Sequence, residues 1–178
     1  VAASPLVEPS SGSSEERFMS GGAALEFILW GVLGFVLIET GSALLHKYVF
    51  HGFLWLLHES HHRPARDRLF EKNDVFALIF AAIPIWLMAG SPSVLGSPRF
   101  AIGAGITLHG LFYFVLHDLM THRRWWPMKP RGRLISSIVQ AHRVHHQKST
   151  ADGQGPWGLF LVPWWDYPAP AERKAGRL

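Results

Sequence analysis

Apolar residues collect in three long blocks, and the stretches between them are polar and rich in histidine. Residues 21–45, GGAALEFILWGVLGFVLIETGSALL, run 25 positions with two charged residues, Glu26 and Glu39. At 1.5 Å per residue that length crosses a hydrocarbon layer of roughly 30 Å. Residues 74–90 form a second, shorter block in which Pro84 predicts a kink, and SPSVLGSP behind it reads as a turn. Residues 100–116, interrupted by His109, form a third, so the second and third spans make an antiparallel hairpin. Residues 133–147 read as a further helix, and GPWGLFLVPWWDYPAP as an irregular aromatic segment, either lying at the interface or completing a fourth span. The pattern predicts an all-α integral membrane helical bundle of three or four spans. A flexible tail is expected over residues 1–20, the membrane domain over 21–168 and a short tail over 169–178.

The composition agrees: 48% hydrophobic and 17% charged residues exclude a disordered chain. The net charge of +4 invites a nucleic-acid reading, but the placement of the basic residues removes it. Lys47, Arg63, Arg66, Arg68 and Lys72 follow the first span. Arg123, Arg124, Lys129, Arg131, Arg133, Arg143 and Lys148 follow the third, while the far-side turn offers only Arg99. That asymmetry predicts a cytoplasmic face for both basic segments, with a membrane and no nucleic acid as partner.

Ten of the eleven histidines fall in four boxes: His46 and His51, then His58, His61 and His62, then His117 and His122, then His142, His145 and His146. Each box begins at or beyond the cytoplasmic end of a span or on the segment that follows, so the topology brings all four to one depth. On an α-helix the three histidines of an H-x-x-H-H box lie within about 100° and can face one site. The H-x-x-x-x-H pairs lie about 140° apart, so both members reach one site only if the helix ends between them or a ligand lies on either side. Gly52 and the Arg-Arg-Trp-Trp-Pro run after His122 are suitable stops. There is no cysteine, so any metal sits on nitrogen or oxygen. Ten imidazoles exceed the six ligands of an octahedral ion and imply two metals, whose identity imidazole alone leaves open among Zn, Cu, Fe and Ni.

The strings HKYVFHG, HESHH, FEKND, YFVLHD followed by HRRW, and AHRVHH make residues 30–165 resemble the bacterial β-carotene hydroxylases of the membrane fatty acid hydroxylase superfamily. The resemblance implies a non-haem di-iron enzyme that uses O₂ and two electrons to hydroxylate a β-ionone ring. It also implies a lipid-soluble carotenoid substrate, and His46, His51, His58, His61, His62, His117, His122, His142, His145 and His146 as ligands. No dinucleotide-binding motif or cysteine cluster is present, so electrons are expected from a ferredoxin or similar reductase. Other membrane di-iron oxygenases share the H-x-x-H-H box: carotenoid ketolases, and sterol or fatty acid hydroxylases and desaturases. A bis-imidazole haem protein would leave most boxes idle, and a metal carrier would need polar groups that the spans lack.

Three side chains stand apart from the boxes. His109 lies two turns before His117 and is expected to be structural or to support a ligand from behind rather than to ligate. Glu39, inside the first span, is expected to accept from a liganding imidazole or to bond between helices. Asp118 is expected to orient an imidazole or to pair with Arg123 or Arg124. The tryptophans at 55, 125, 126, 157, 164 and 165 are expected as interface anchors.

Overall fold

A computed structural model of the chain describes residues 14–63, 70–94 and 96–167, and every regular element among them is helical. The expected C-terminal tail, residues 1–13 of the expected N-terminal tail, Arg66 and Arg68 lie outside the described residues. Helix α1, Ser14–Leu45, begins seven residues before the first apolar block. It is followed by α2 (Trp55–His62), α3 (Asp74–Ala89), α4 (Pro98–Tyr113) and α5 (Arg133–His145).

Two continuous helical stretches are long and apolar enough to cross a membrane, Gly21–Phe53 and Pro98–Thr121, and Asp74–Ala89 is a shorter apolar helix. Leu25, Leu29, Leu37, Leu78, Trp86 and Leu111 stand more than half exposed, an apolar girdle suited to lipid rather than water. Helices α1 and α4 cross at close range because glycines meet there. A Cβ on Gly105 would collide with the Gly31 carbonyl, and one on Gly34 with the backbone of Ile102. Small residues at such a crossing let two backbones approach where lipid offers no hydrophobic drive to association.

The α3–α4 hairpin closes as the sequence suggests. The Ser97 hydroxyl accepts from Phe100 N–H at 3.4 Å, with Pro98 in the first turn of α4. Arg99 donates to the Trp86 and Gly90 carbonyls at the end of α3 and lies over the Trp86 ring. Pro84 sits inside α3 without ending it.

At the other end of the bundle α1 and α4 do not stop where the wide histidine pairs begin. Each continues into a π-helical turn, His46–Phe53 and Phe114–Thr121. The i→i+5 bonds include His122 N–H to the His117 carbonyl at 2.9 Å and Leu54 N–H to the Val49 carbonyl at 3.0 Å. A π-turn brings residues five apart onto one face, as an α-helix does for residues four apart, and such turns concentrate at functional sites. This corrects both alternatives considered for the wide pairs, a helix end between them or a ligand on either side: both members of each pair point the same way. Gly52 supplies the stop one residue later, with φ −99° and ψ −125° breaking the helical course before α2.

Helix α5 lies across the end of α4, where Leu116, Ile138 and Leu159 form a small apolar core with Tyr113, Met120, Ile135 and Phe160 around it. The segment after α5 is irregular up to a single 3₁₀ turn at Trp164–Asp166 and runs back against α1.

Candidate metal centre

The ten boxed histidines come together in two groups of five. His46, His51, His58, His62 and His145 form the first, and His61, His117, His122, His142 and His146 the second. Within each group the candidate donor nitrogens lie within 4.8 Å of one another. Each group takes one wide pair, whose rings the π-turn holds 5.1 Å apart in the first and 4.5 Å in the second. Each then takes the outer two histidines of one H-x-x-H-H box and the middle histidine of the other. An expectation is corrected here, for a tight box does not serve one site. His58 and His62, one turn apart, face the first group while His61 faces the second, and on α5 the assignment is reversed.

The outer nitrogens of His46, His51, His58, His61, His117 and His145 are held from behind. His46 Nδ1–H donates to the Trp157 carbonyl at 2.7 Å, His51 Nδ1–H to the Ala151 carbonyl at 3.2 Å, and His145 Nδ1–H to the Gln154 carbonyl at 2.5 Å. His58 Nδ1 lies 2.7 Å from Asn73 Oδ1. In the second group the acceptors are carboxylates, Glu71 on His61 at 2.9 Å and Asp118 on His117 at 3.3 Å. Arg124 ties these acids together, bonding Asp118 at 3.1 Å and Asp74 at 2.7 Å with Glu71 at 3.9 Å.

A carbonyl oxygen only accepts, so the single proton of a neutral imidazole facing one sits on Nδ1 and leaves a lone pair on Nε2. Across both groups Nε2 atoms face one another: His46 and His58 at 3.1 Å, His62 and His145 at 3.2 Å, His61 and His117 at 2.9 Å, His142 and His146 at 3.0 Å. The His51 Nε2 is buried with no hydrogen-bond partner. Converging lone pairs repel unless a cation lies among them, and the donor set therefore fits a pair of metal ions. Burial lowers His58 and His62 to about 3 and His145 to about 4, with the neighbouring imidazoles adding to the effect. Burial, and after it the same repulsion, holds His61, His122, His142 and His146 well below the usual histidine range. The rings thus stay unprotonated and able to ligate. Burial pushes the Glu71 carboxyl up to about 7 despite the opposing Arg124 charge.

Three further side chains find their places. His109 belongs to neither group, and its Nε2 lies 2.8 Å from Glu39 Oε2. Glu39 therefore joins α1 to α4 rather than supporting a liganding imidazole, and its other oxygen accepts the N–H groups of Leu159, Phe160 and Leu161. Asp118 does both things expected of it, touching His117 and Arg124. Trp157 and Trp55 lie against the first group, with Trp157 4.9 Å from His51 and Trp55 5.4 Å from His62. Asn73, Glu71 and the carbonyls at 151, 154 and 157 are functional groups that the box pattern did not single out. For Asn73 and Glu71 the available signal was the polar FEKND string just ahead of α3, whereas backbone carbonyls leave no mark in a sequence.

Comparison with known proteins agrees with this geometry. The chain is 41% identical over 129 residues to the "Beta-carotene hydroxylase" of Pantoea ananas, covering 71% of each chain. It is 40% identical over 133 residues to that of Pseudescherichia vulneris, covering 74% of each. It is also 40% identical to the "Beta-carotene 3-hydroxylase, chloroplastic" of Haematococcus lacustris, over 75% of this chain and 45% of that one. No solved structure matches it. The Fatty acid hydroxylase family pattern spans residues 31–169, which takes in all four histidine boxes and the segments that hold them, and the chain belongs to that family.

Proposed function

We propose that this chain is a β-carotene hydroxylase that places hydroxyl groups on C3 and C3′ of the β-ionone rings, via β-cryptoxanthin to zeaxanthin. The reaction would use two iron ions, one held by each group of five histidines. The observation that carries the reading is the division of ten imidazoles into two five-nitrogen sets in a chain so similar to proteins named β-carotene hydroxylase. Bound iron supplies, with O₂ and two electrons, the oxidant that an unactivated ring C–H requires. For each hydroxyl formed, one oxygen atom enters the ring carbon and the other leaves as water, consuming two electrons and two protons.

The chain's own residues hold, orient and shield. The carbonyls behind His46, His51 and His145 and the acids behind His61 and His117 fix each ring's proton on its outer nitrogen, leaving the inner one to ligate. Trp55, Trp157 and Tyr113, the last stacked 4.3 Å from His117, keep water from the rings. A carotenoid dissolved in the bilayer enters sideways, its polyene lying along the exposed Leu108, Leu111 and Phe112 of α4. In this reading α1, α3 and α4 are three spans, residues 21–168 form the hydroxylase domain, and the histidines face the cytoplasm. A ferredoxin or similar reductase delivers the electrons there.

Expression in cells that accumulate β-carotene, followed by pigment analysis, tests the reading. Zeaxanthin is the expected product. Ketocarotenoids would replace hydroxylation by ketolation, and an unchanged pigment profile would turn the assignment toward a sterol or fatty acid substrate or a non-enzymatic metal protein.

A further inference from the structure

The two five-histidine groups resemble each other in their ligands and differ in what stands behind them. The hydrogen-bond acceptors behind the first group are neutral, among them the carbonyls of Ala151, Gln154 and Trp157 and the side-chain amide of Asn73, and the acid that acts on His51 through space, Asp152, is exposed and paired with Lys148. Behind the second group two acceptors are carboxylates, on His61 and His117, and their side chains are 7% and 13% exposed. Asp74 adds a third acid to that side, and a single cation, Arg124, is shared among all three.

An imidazole whose N–H donates to a carboxylate is a more basic ligand than one donating to a carbonyl, because partial proton transfer toward the acid moves electron density to the metal-facing nitrogen. Asp74 and Asp118 against the one Arg124 charge leave that side net negative, which also attracts a cation directly, and burial leaves the attraction little screened. Both effects favour the second group.

We infer that Glu71 and Asp118 are positioning residues that make the two metal centres unequal, the second holding its ion tightly and the first exchanging its ion more readily. The inference rests on the two-metal reading above. It assigns roles to residues outside the histidine boxes, and it separates the centres by chemistry that a list of ligands cannot reveal. Outer partners of this kind change metal affinity by about ten- to hundred-fold.

The test uses cobalt(II) alone, loaded into the full chain in detergent, with stepwise removal by a chelator followed through the cobalt absorption. Two ions per chain leaving in two steps, separated by about ten-fold or more in chelator concentration, are expected. Glu71→Gln and Asp118→Asn, which keep an acceptor oxygen and remove the charge, should move the tight step toward the weak one. Asn73→Asp, which places a carboxylate behind His58, should tighten the weak step, a gain that a loss of packing does not imitate. Two ions leaving together in the unaltered protein would overturn the inference while sparing the two-metal reading. So would an effect of Glu71→Gln on the weak step alone. Fewer than two ions per chain would overturn both.

Discussion

His109 on α4 and Glu39 on α1 meet at 2.8 Å with both side chains almost completely buried. The second oxygen of Glu39 gathers three consecutive amide hydrogens from Leu159, Phe160 and Leu161. One carboxylate thus joins two long apolar helices to the segment whose carbonyls at 151, 154 and 157 hold His51, His145 and His46.

Glu39→Ala should therefore loosen a region well beyond its own contacts. It leaves an imidazole and three backbone donors without their acceptor, at about 1–3 kcal/mol for each of the four groups stranded, so a total loss of at least about 4 kcal/mol is expected. Glu39→Gln keeps an acceptor oxygen and should lose less. Thermal unfolding in detergent and protease cutting within residues 151–161 report the two effects.

Removing a ligand should separate sharply from removing His109. His61→Ala and His145→Ala each take one nitrogen from a five-membered set and are expected to abolish hydroxylation and lower the metal content. His109→Ala should retain two ions per chain and measurable zeaxanthin formation, with reduced thermal stability. Metal analysis beside pigment analysis checks all three; loss of one ion in His109→Ala would make it a ligand.

Purified protein is expected to hold about two metal ions per chain in a shell of nitrogen and oxygen only, since the chain has no cysteine. X-ray absorption is the direct measurement. A haem Soret band or one ion per chain would contradict it. Two zinc ions in an inactive recombinant preparation would still agree with the geometry, because imidazole suits zinc as well as iron.

The α1–α4 crossing yields a paired prediction. Gly105→Ala drives a methyl group into the Gly31 carbonyl and is expected to destabilise the fold by about 1–3 kcal/mol, the usual cost of overpacking. Gly110→Ala, on the same helical course with open space around it, should leave thermal unfolding unchanged or slightly raised.

Orientation can be read with single cysteines, because the native chain contains none. Gln147 beside the histidines and Ser93 in the far-side turn are both exposed. An impermeant thiol reagent should label Ser93→Cys in intact cells and Gln147→Cys only after the membrane is opened. Labelling of Gln147→Cys from outside would reverse the topology and place the histidines out of reach of a cytoplasmic electron donor.

The apolar blocks and the histidine boxes were legible because both are periodic features of local sequence. α3 and α5 end within two residues of their expected limits, while α4 starts two residues early and passes into its π-turn three residues before the expected end. The sharing of boxes between centres was not legible. Facing angles on an isolated helix say that His58, His61 and His62 span about 100°, but only the position of α5 decides that His61 turns away from its neighbours. The π-turns were hidden for a related reason, since nothing in H-x-x-x-x-H distinguishes one extra residue wound into the helix from a helix that stops. Glu39 was correctly seen as a buried acid needing a partner. Three of its partners are backbone amides 120 or more positions away, which no side-chain pattern announces.

The interleaving of the boxes sets the order of events during synthesis. Ligands of the first group run from His46 to His145 and those of the second from His61 to His146. A growing chain that has not yet reached residue 142 offers four nitrogens of the first set and three of the second, and both sets become complete within the same few residues. On the two-metal reading, full ligation is therefore a late event for both centres, and a chain cut short before α5 completes neither set of five.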